Sequence, residues 1–141
     1  METTLLRFGE SVVEITTVDE IIHLRVTGAY TDEMALAMLE QMDRLIEAMP
    51  GDPVRVWDAS GIPADSFLLT SECIDAVARW AVTLKQRRPG SMAYMISPTL
   101  VSFGMARMYG MKSELEPEGV RVLRSVDELP AGIRERLPVR R

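Results

Sequence analysis

The sequence predicts an α/β fold: one domain with a mixed sheet that is mostly parallel and begins with antiparallel strands. Residues 92–96 form a short apolar run without polar alternation, which is typical of a strand covered on both faces. Ser97 and Pro98 follow it and suit the start of a helix, which apolar residues at helical spacing continue over 99–112. Strand and helix patterns alternate along most of the chain, and this alternation favours a mainly parallel sheet.

Two alternating strands and a helix are predicted for the first part of the domain. Residues 12–17 and 21–27 alternate apolar and polar side chains, and the short turn between them makes the strands antiparallel. The alternation places His23 on the solvent face of its strand, as a strand residue rather than a catalytic base. Gly28 ends that strand, and a helical apolar stripe then predicts a helix over 31–49.

Strands and helices continue to alternate in the rest of the chain. The predicted elements are a strand at 54–58, a helix at 70–87, a strand at 92–96, a helix at 99–112, a strand at 120–124 and a helical segment at 125–137. The resulting order is ββαβαβαβα, with right-handed crossovers. The last strand alternates and is expected at a sheet edge. Gly104, inside a helix, predicts a close approach by a neighbouring element.

Length and hydropathy indicate one domain without a membrane segment. A chain of 141 residues suffices for a single core, and we expect the domain to span 1–141, with its core at about 12–137 and short flexible termini. No apolar run approaches the ~20 residues of a membrane-spanning helix. Residues 1–7 are too polar for a signal peptide, so the expected location is cytoplasmic.

Charge and residue counts disfavour several classes of function. The net charge of −5 disfavours nucleic acid as a partner. One cysteine and one histidine leave no intrachain disulfide and few metal sites, so we expect no metal and no cofactor. Cys73 lies on the apolar face of its helix and is expected to be buried. No nucleophile–base set or phosphate-binding loop is evident, so no catalytic residues are predicted and the protein is expected not to be an enzyme.

The order of elements and three segments resemble the STAS superfamily, in particular the bacterial family similar to stage II sporulation protein AA, the anti-anti-sigma factor, and to CRAL-TRIO lipid-carrier domains. The segments are the strand ending in Gly28 before Thr31, the strand 54–58 with its following loop, and residues 97–109. The resemblance implies a STAS-like domain: a mixed four- to five-stranded sheet with helices packed mainly on one side. It also implies a regulatory protein partner or a small-ligand module.

In the anti-anti-sigma factors that this family resembles, the loop after the equivalent strand carries a serine that accepts phosphate. The matching residues here are Asp65 and Ser66, while Phe67 stands where the family has a second small residue. Ser66 is therefore the candidate phosphoacceptor, although Asp and Ser are also common helix-cap residues. The candidate partner-binding loop comprises Trp57, Asp58, Asp65, Ser66 and Phe67.

Ten methionines fall mainly on apolar faces of the predicted elements. Methionine adapts to varied apolar partners, so these residues indicate either a deformable ligand pocket or an ordinary core. Arg107 is the polar residue that could hold an anionic group at the mouth of such a pocket. The candidate pocket residues are Met38, Met42, Met95, Met105, Met108 and Arg107.

Two functions follow as hypotheses. The first is a non-enzymatic regulatory or adaptor module that binds a protein partner through the loop 59–69. The alternative is a carrier or sensor of a small apolar or lipid-like ligand, which needs a cavity of roughly several hundred Å³ between the sheet and the methionine-rich helices. A homodimer is also expected to be accessible, through an edge strand or a methionine-rich helix face.

Overall fold

A six-stranded mixed sheet organises residues 1–137, the part of the chain that the computed structural model describes. Its strands lie side by side in chain order, antiparallel from β1 to β3 and parallel from β3 to β6. They are β1 (Glu2–Phe8), β2 (Ser11–Val18), β3 (Ile21–Thr27), β4 (Val54–Gly61), β5 (Met92–Ile96) and β6 (Val120–Leu123). The α/β class is confirmed, and the strand predicted at 120–124 forms one edge of the sheet.

Four helices complete the described part of the chain. They are α1 (Asp32–Glu47), α2 (Ser71–Arg87), α3 (Leu100–Ser113) and α4 (Ala131–Arg134), with a 3₁₀ turn at Val126–Glu128 before α4. Thr70 caps α2 by accepting from the Cys73 amide, and Thr99 caps α3 by accepting from the Ser102 amide. The cap of α3 is thus Thr99 rather than Ser97, whose buried hydroxyl has no hydrogen-bond partner within residues 1–137.

The strand count and the order predicted from the sequence need correction. Strand β1 was not predicted; it pairs with β2 along its length, so the sheet has six strands rather than four or five. Its inward side chains alternate, and Leu6 and Phe8 pack against the core. The sheet therefore begins at Glu2, which corrects the expected flexible N-terminus. The expectation for the opposite terminus concerns residues 138–141, outside the described range.

Both faces of the sheet are covered, although unequally. Helices α1, α2 and α3 pack on one face. On the other face a smaller cluster joins Ile21, Val56 and Ile96 to Leu129 from the C-terminal segment. His23 belongs to this second face and is only 2% exposed, so its predicted solvent-facing position is wrong. The predicted alternation of the strand 21–27 is correct, but the sheet face that carries His23 is covered and not open to water.

Helix α3 differs from expectation at its glycines. A Cβ atom at Gly104 would meet no heavy atom within 4 Å, so the predicted close approach does not occur there. It occurs at Gly110, where a Cβ would lie 2.5 Å from Oε1 of Glu116. None of the helices in residues 1–137 is both long and apolar enough to cross a membrane.

Candidate apolar ligand site

A cavity of about 70 Å³ lies between the sheet and its three covering helices. Strands β3, β4 and β5 form its floor, while α1, α2 and α3 and the loop before α2 form its walls. Its lining is almost entirely apolar, and Arg55 is the one charged side chain among the described residues that line it. A space of this kind can hold a small apolar group that excludes water.

Four of the candidate pocket methionines line this cavity: Met38 and Met42 from α1, Met95 from β5 and Met105 from α3. They come from three different elements and meet at one place. The Tyr30 hydroxyl donates a hydrogen bond to Sδ of Met38 at 3.5 Å, which holds one side of the lining. Unbranched thioether side chains can change rotamer, so this lining can adapt to its contents.

The other two candidate pocket residues lie elsewhere. Arg107 is on the outer side of α3 and pairs with Glu116, with 3.5 Å between Nε and Oε1. Met108 is 37% exposed. Neither residue lines the cavity, because α3 turns only the side that carries Met105 and Tyr109 toward the sheet.

Three aromatic rings close one end of the cavity. Tyr30 lies 5.5 Å from both Trp57 and Phe67, centroid to centroid, and these two rings are 6.1 Å apart. A parallel bridge between Tyr30 and Phe67 fastens the loop: the Tyr30 amide donates to the Ser66 carbonyl, and the Leu68 amide donates to the Tyr30 carbonyl, both at 2.9 Å. Burial raises the pKa of the Tyr30 hydroxyl far above its ordinary value, so this ring stays neutral.

The candidate partner-binding residues do not form one surface. Trp57 and Phe67 line the cavity. Asp58 follows Trp57 in β4, so it points to the opposite face of the sheet, where it lies 3.9 Å from the Arg25 guanidinium and accepts from the Ser60 amide. Only Asp65 and Ser66 remain on the outside of the loop.

Ser66 occupies the turn before α2 rather than the helix N-terminus. Its hydroxyl donates to Oδ1 of Asp65 at 3.1 Å, and its amide donates to the Pro63 carbonyl. The N-cap of α2 is Thr70, which accepts from the Cys73 amide. A phosphate on Ser66 would therefore lie beside the Asp65 carboxylate and not on the helix dipole, so the geometry provides no anion site for it.

The starts of α1 and α2 are joined through Asp32. Its carboxylate accepts from the Thr70 amide at 2.9 Å and from the Thr70 hydroxyl at 2.7 Å, and these bonds lower the pKa of Asp32. Cys73 is buried, as predicted; burial, with Asp32 nearby, raises the pKa of its thiol to about 11. Within residues 1–137, no three His, Cys, Asp or Glu side chains are grouped as metal ligands would be.

Arg55 is the functional candidate that the sequence analysis missed. It is the second residue of β4, is 6% exposed and lines the cavity. Its guanidinium carbon lies 5.1 Å from the centre of the Trp80 ring, and its buried Nε has no hydrogen-bond partner within the described residues. The signal was present: a charged residue interrupts an apolar strand, and a strand covered on both faces must bury it.

Comparisons with known proteins assign this chain to no family. No model of a known protein family matches the sequence, and no curated protein matches it significantly. The resemblance to the STAS superfamily therefore stays a prediction, and the function is proposed from the geometry of the molecule.

Proposed function

We propose that this protein binds a small apolar ligand in the cavity beneath α1, α2 and α3, as a carrier or sensor. The observation that carries the proposal is an open space of about 70 Å³ inside an otherwise packed core. Protein interiors are close-packed, and an empty cavity costs about 24 cal/mol per Å³. If fully closed, a space of this size would cost at most about 2 kcal/mol when empty, and a bound apolar group would offset that cost.

The volume limits the size of the ligand. Pockets for drug-sized ligands measure about 300–1,000 Å³, and an apolar cavity of about 150 Å³ holds benzene. The space here is smaller than either and smaller than the several hundred Å³ expected from the sequence, so without rearrangement it suits only a chain of a few carbon atoms. A longer chain would need the cavity methionines to change rotamer, and thioether side chains can do so at low cost.

Methyl NMR of the methionines tests this proposal with controls built into the chain. The protein is labelled with ¹³C at the methionine methyl groups and titrated with 1-butanol, a neutral probe with a chain short enough for the space. We expect the signals of Met38, Met42, Met95 and Met105 to shift in a saturable manner. The exposed Met108 and Met111 serve as controls and should not shift.

The opposite pattern would contradict the proposal. If the cavity methionines stay unshifted, or if all methionines drift together without saturation, the space does not admit an apolar ligand. Substitution of each methionine by leucine, one at a time, assigns the signals. Leucine is close to methionine in volume, so these variants are expected to keep the fold.

A second candidate function is the regulatory or adaptor module, and a different observation favours it. The outer side of α3 carries exposed apolar residues at helical spacing, including Leu100 at 81%, Val101 at 45% and Met111 at 72% exposure. Adjacent exposed apolar side chains are typical of a protein-binding surface. We propose that this face, rather than the loop 59–69, is where a protein partner or a second copy of the chain binds.

Sedimentation velocity tests the simplest form of this second candidate, self-association. We expect the wild type to form dimers with rising concentration and the double variant Leu100→Gln, Met111→Gln to stay monomeric. Leu36→Gln, on the outside of α1 and 48% exposed, is the matched control and should leave the dimer intact. A wild type that is monomeric over the whole concentration range would contradict self-association through α3.

A further inference from the structure

We infer that the ligand of this cavity carries a single carboxylate and that Arg55 binds it, so that the ligand class is a short-chain monocarboxylic acid. This inference rests on the proposed ligand-binding function and gives the ligand its chemistry. It starts from Arg55, a buried side chain whose Nε has no hydrogen-bond partner within residues 1–137.

Within residues 1–137, Arg55 is a buried charge without an anionic partner. A guanidinium keeps its proton at all pH values at which proteins are folded, so burial cannot neutralise it. A buried charge is costly unless it is paired and hydrogen-bonded. In the described part of the chain Arg55 has no hydrogen bond and no ion pair, its Nε is buried, and its guanidinium lies against the face of the Trp80 ring. A cation–π contact does not supply an acceptor for the buried Nε–H group.

The nearby carboxylates are engaged elsewhere. Asp43 accepts a hydrogen bond from the Trp80 indole at 2.8 Å, on the outer side of that ring system. Asp58 faces the other side of the sheet, beside Arg25. Arg55 thus lines the cavity and has a buried, unpaired Nε, and neither of these two carboxylates forms an ion pair with it within residues 1–137.

The cavity determines what kind of anion can reach Arg55. Because its other lining residues are uncharged, the site provides one positive charge, which a monoanion neutralises and a phosphate dianion would exceed. The planar fork of a guanidinium matches the two oxygens of a carboxylate. The apolar part of the same ligand would then contact the methionines and aromatic rings that form the rest of the lining.

Paired titrations with butanoate and 1-butanol at pH 7 test the inference. The two probes have the same number of carbon atoms and differ in the charged group. Binding is followed by tryptophan fluorescence, since Trp57 lines the cavity and Trp80 lies against Arg55, and these are the chain's two tryptophans. We expect butanoate to bind about 10- to 100-fold more tightly than 1-butanol, as is typical of hydrogen bonds to charged groups.

The variant Arg55→Met should remove this preference while 1-butanol still binds, and Arg55→Lys should retain part of it. The signal of the Arg55 Nε–H group in NMR should shift with butanoate and not with 1-butanol. Replacement of a buried charge by an apolar side chain of similar length is generally tolerated, and the comparison of probes in the wild type needs no variant.

The outcomes separate the inference from the proposed function. Equal affinity of the wild type for both probes, or an unchanged preference in Arg55→Met, overturns the role of Arg55 and leaves an apolar site. Binding of neither probe overturns the ligand-binding function and the inference with it. A butanoate preference that depends on Arg55 supports both.

Discussion

At the scale of single residues, Asp32 has a structural role that the pH dependence of stability should reveal. The carboxylate accepts two hydrogen bonds from Thr70, and it thereby joins the first turn of α1 to the cap of α2. These bonds favour the ionised form, so the pKa of Asp32 is lower in the folded protein than in the unfolded chain. The contribution to stability is therefore present above about pH 4 and is lost as the pH falls through the folded-state pKa.

We predict that Asp32→Asn lowers the free energy of unfolding by about 1 kcal/mol at pH 7, because a charge-assisted acceptor is replaced by a neutral one. The difference between wild type and variant should shrink as the pH is lowered from 6 to 3. Urea denaturation at several pH values measures it. Glu33→Gln, an exposed neighbour in the same turn, is the control. A difference that is independent of pH would contradict the role given to Asp32.

Arg55 and Arg107 show what sequence can say of individual residues in a site. Arg107 was a candidate because it shares α3 with several methionines, but its position on the helix turns it toward Glu116. Arg55 was overlooked although it interrupts an apolar strand. Its contact with Trp80 depends on where α2 packs over β4, a relation between elements far apart in the chain. Residue type indicated the chemistry of the site, and only packing determined which arginine lies in it.

At the scale of elements, periodicity predicted the three long helices closely. The predicted ranges 31–49, 70–87 and 99–112 overlap α1, α2 and α3 almost completely, because amphipathic spacing and terminal signals coincide there. The strand β1 was missed because its side chains are mostly half-exposed or exposed, so its alternation is weak. Pairing with β2 stabilises it, and that contact is not visible in the local sequence.

Helix α3 illustrates a limit of pattern-based reasoning. Gly104 was interpreted as a point of close packing, yet it lies on the exposed side of the helix. Apolar residues occur on both sides of α3, so its sequence does not indicate which side faces the core. The cavity-lining side is defined by the contacts of Ala106 and Tyr109 with the sheet and α2. The other side is the apolar face proposed for a protein partner.

At the scale of the whole molecule, the two faces of the sheet are covered by very different amounts of chain. Three long helices and the cavity occupy one face. The second face depends on the segment after β6, whose Leu129 packs on Ile21, Val56 and Ile96 and is itself 3% exposed. Because the segment after β6 is short, Leu129 alone covers much of the second cluster. Truncation of Leu129 cannot be compensated by neighbouring side chains on a long helix.

We therefore predict that Leu129→Ala lowers the free energy of unfolding by about 2–5 kcal/mol, the usual cost of truncating a fully buried leucine. Urea denaturation measures the loss, and Val126→Ala, at 36% exposure in the same segment, is the matched control and should change stability by no more than about 1 kcal/mol. A loss in Leu129→Ala that is no larger than in the control would mean that the C-terminal segment contributes little to the core. The expected loss is a large fraction of the about 5–15 kcal/mol by which a typical domain is stable. The whole sheet would therefore depend on the C-terminal segment to stay folded.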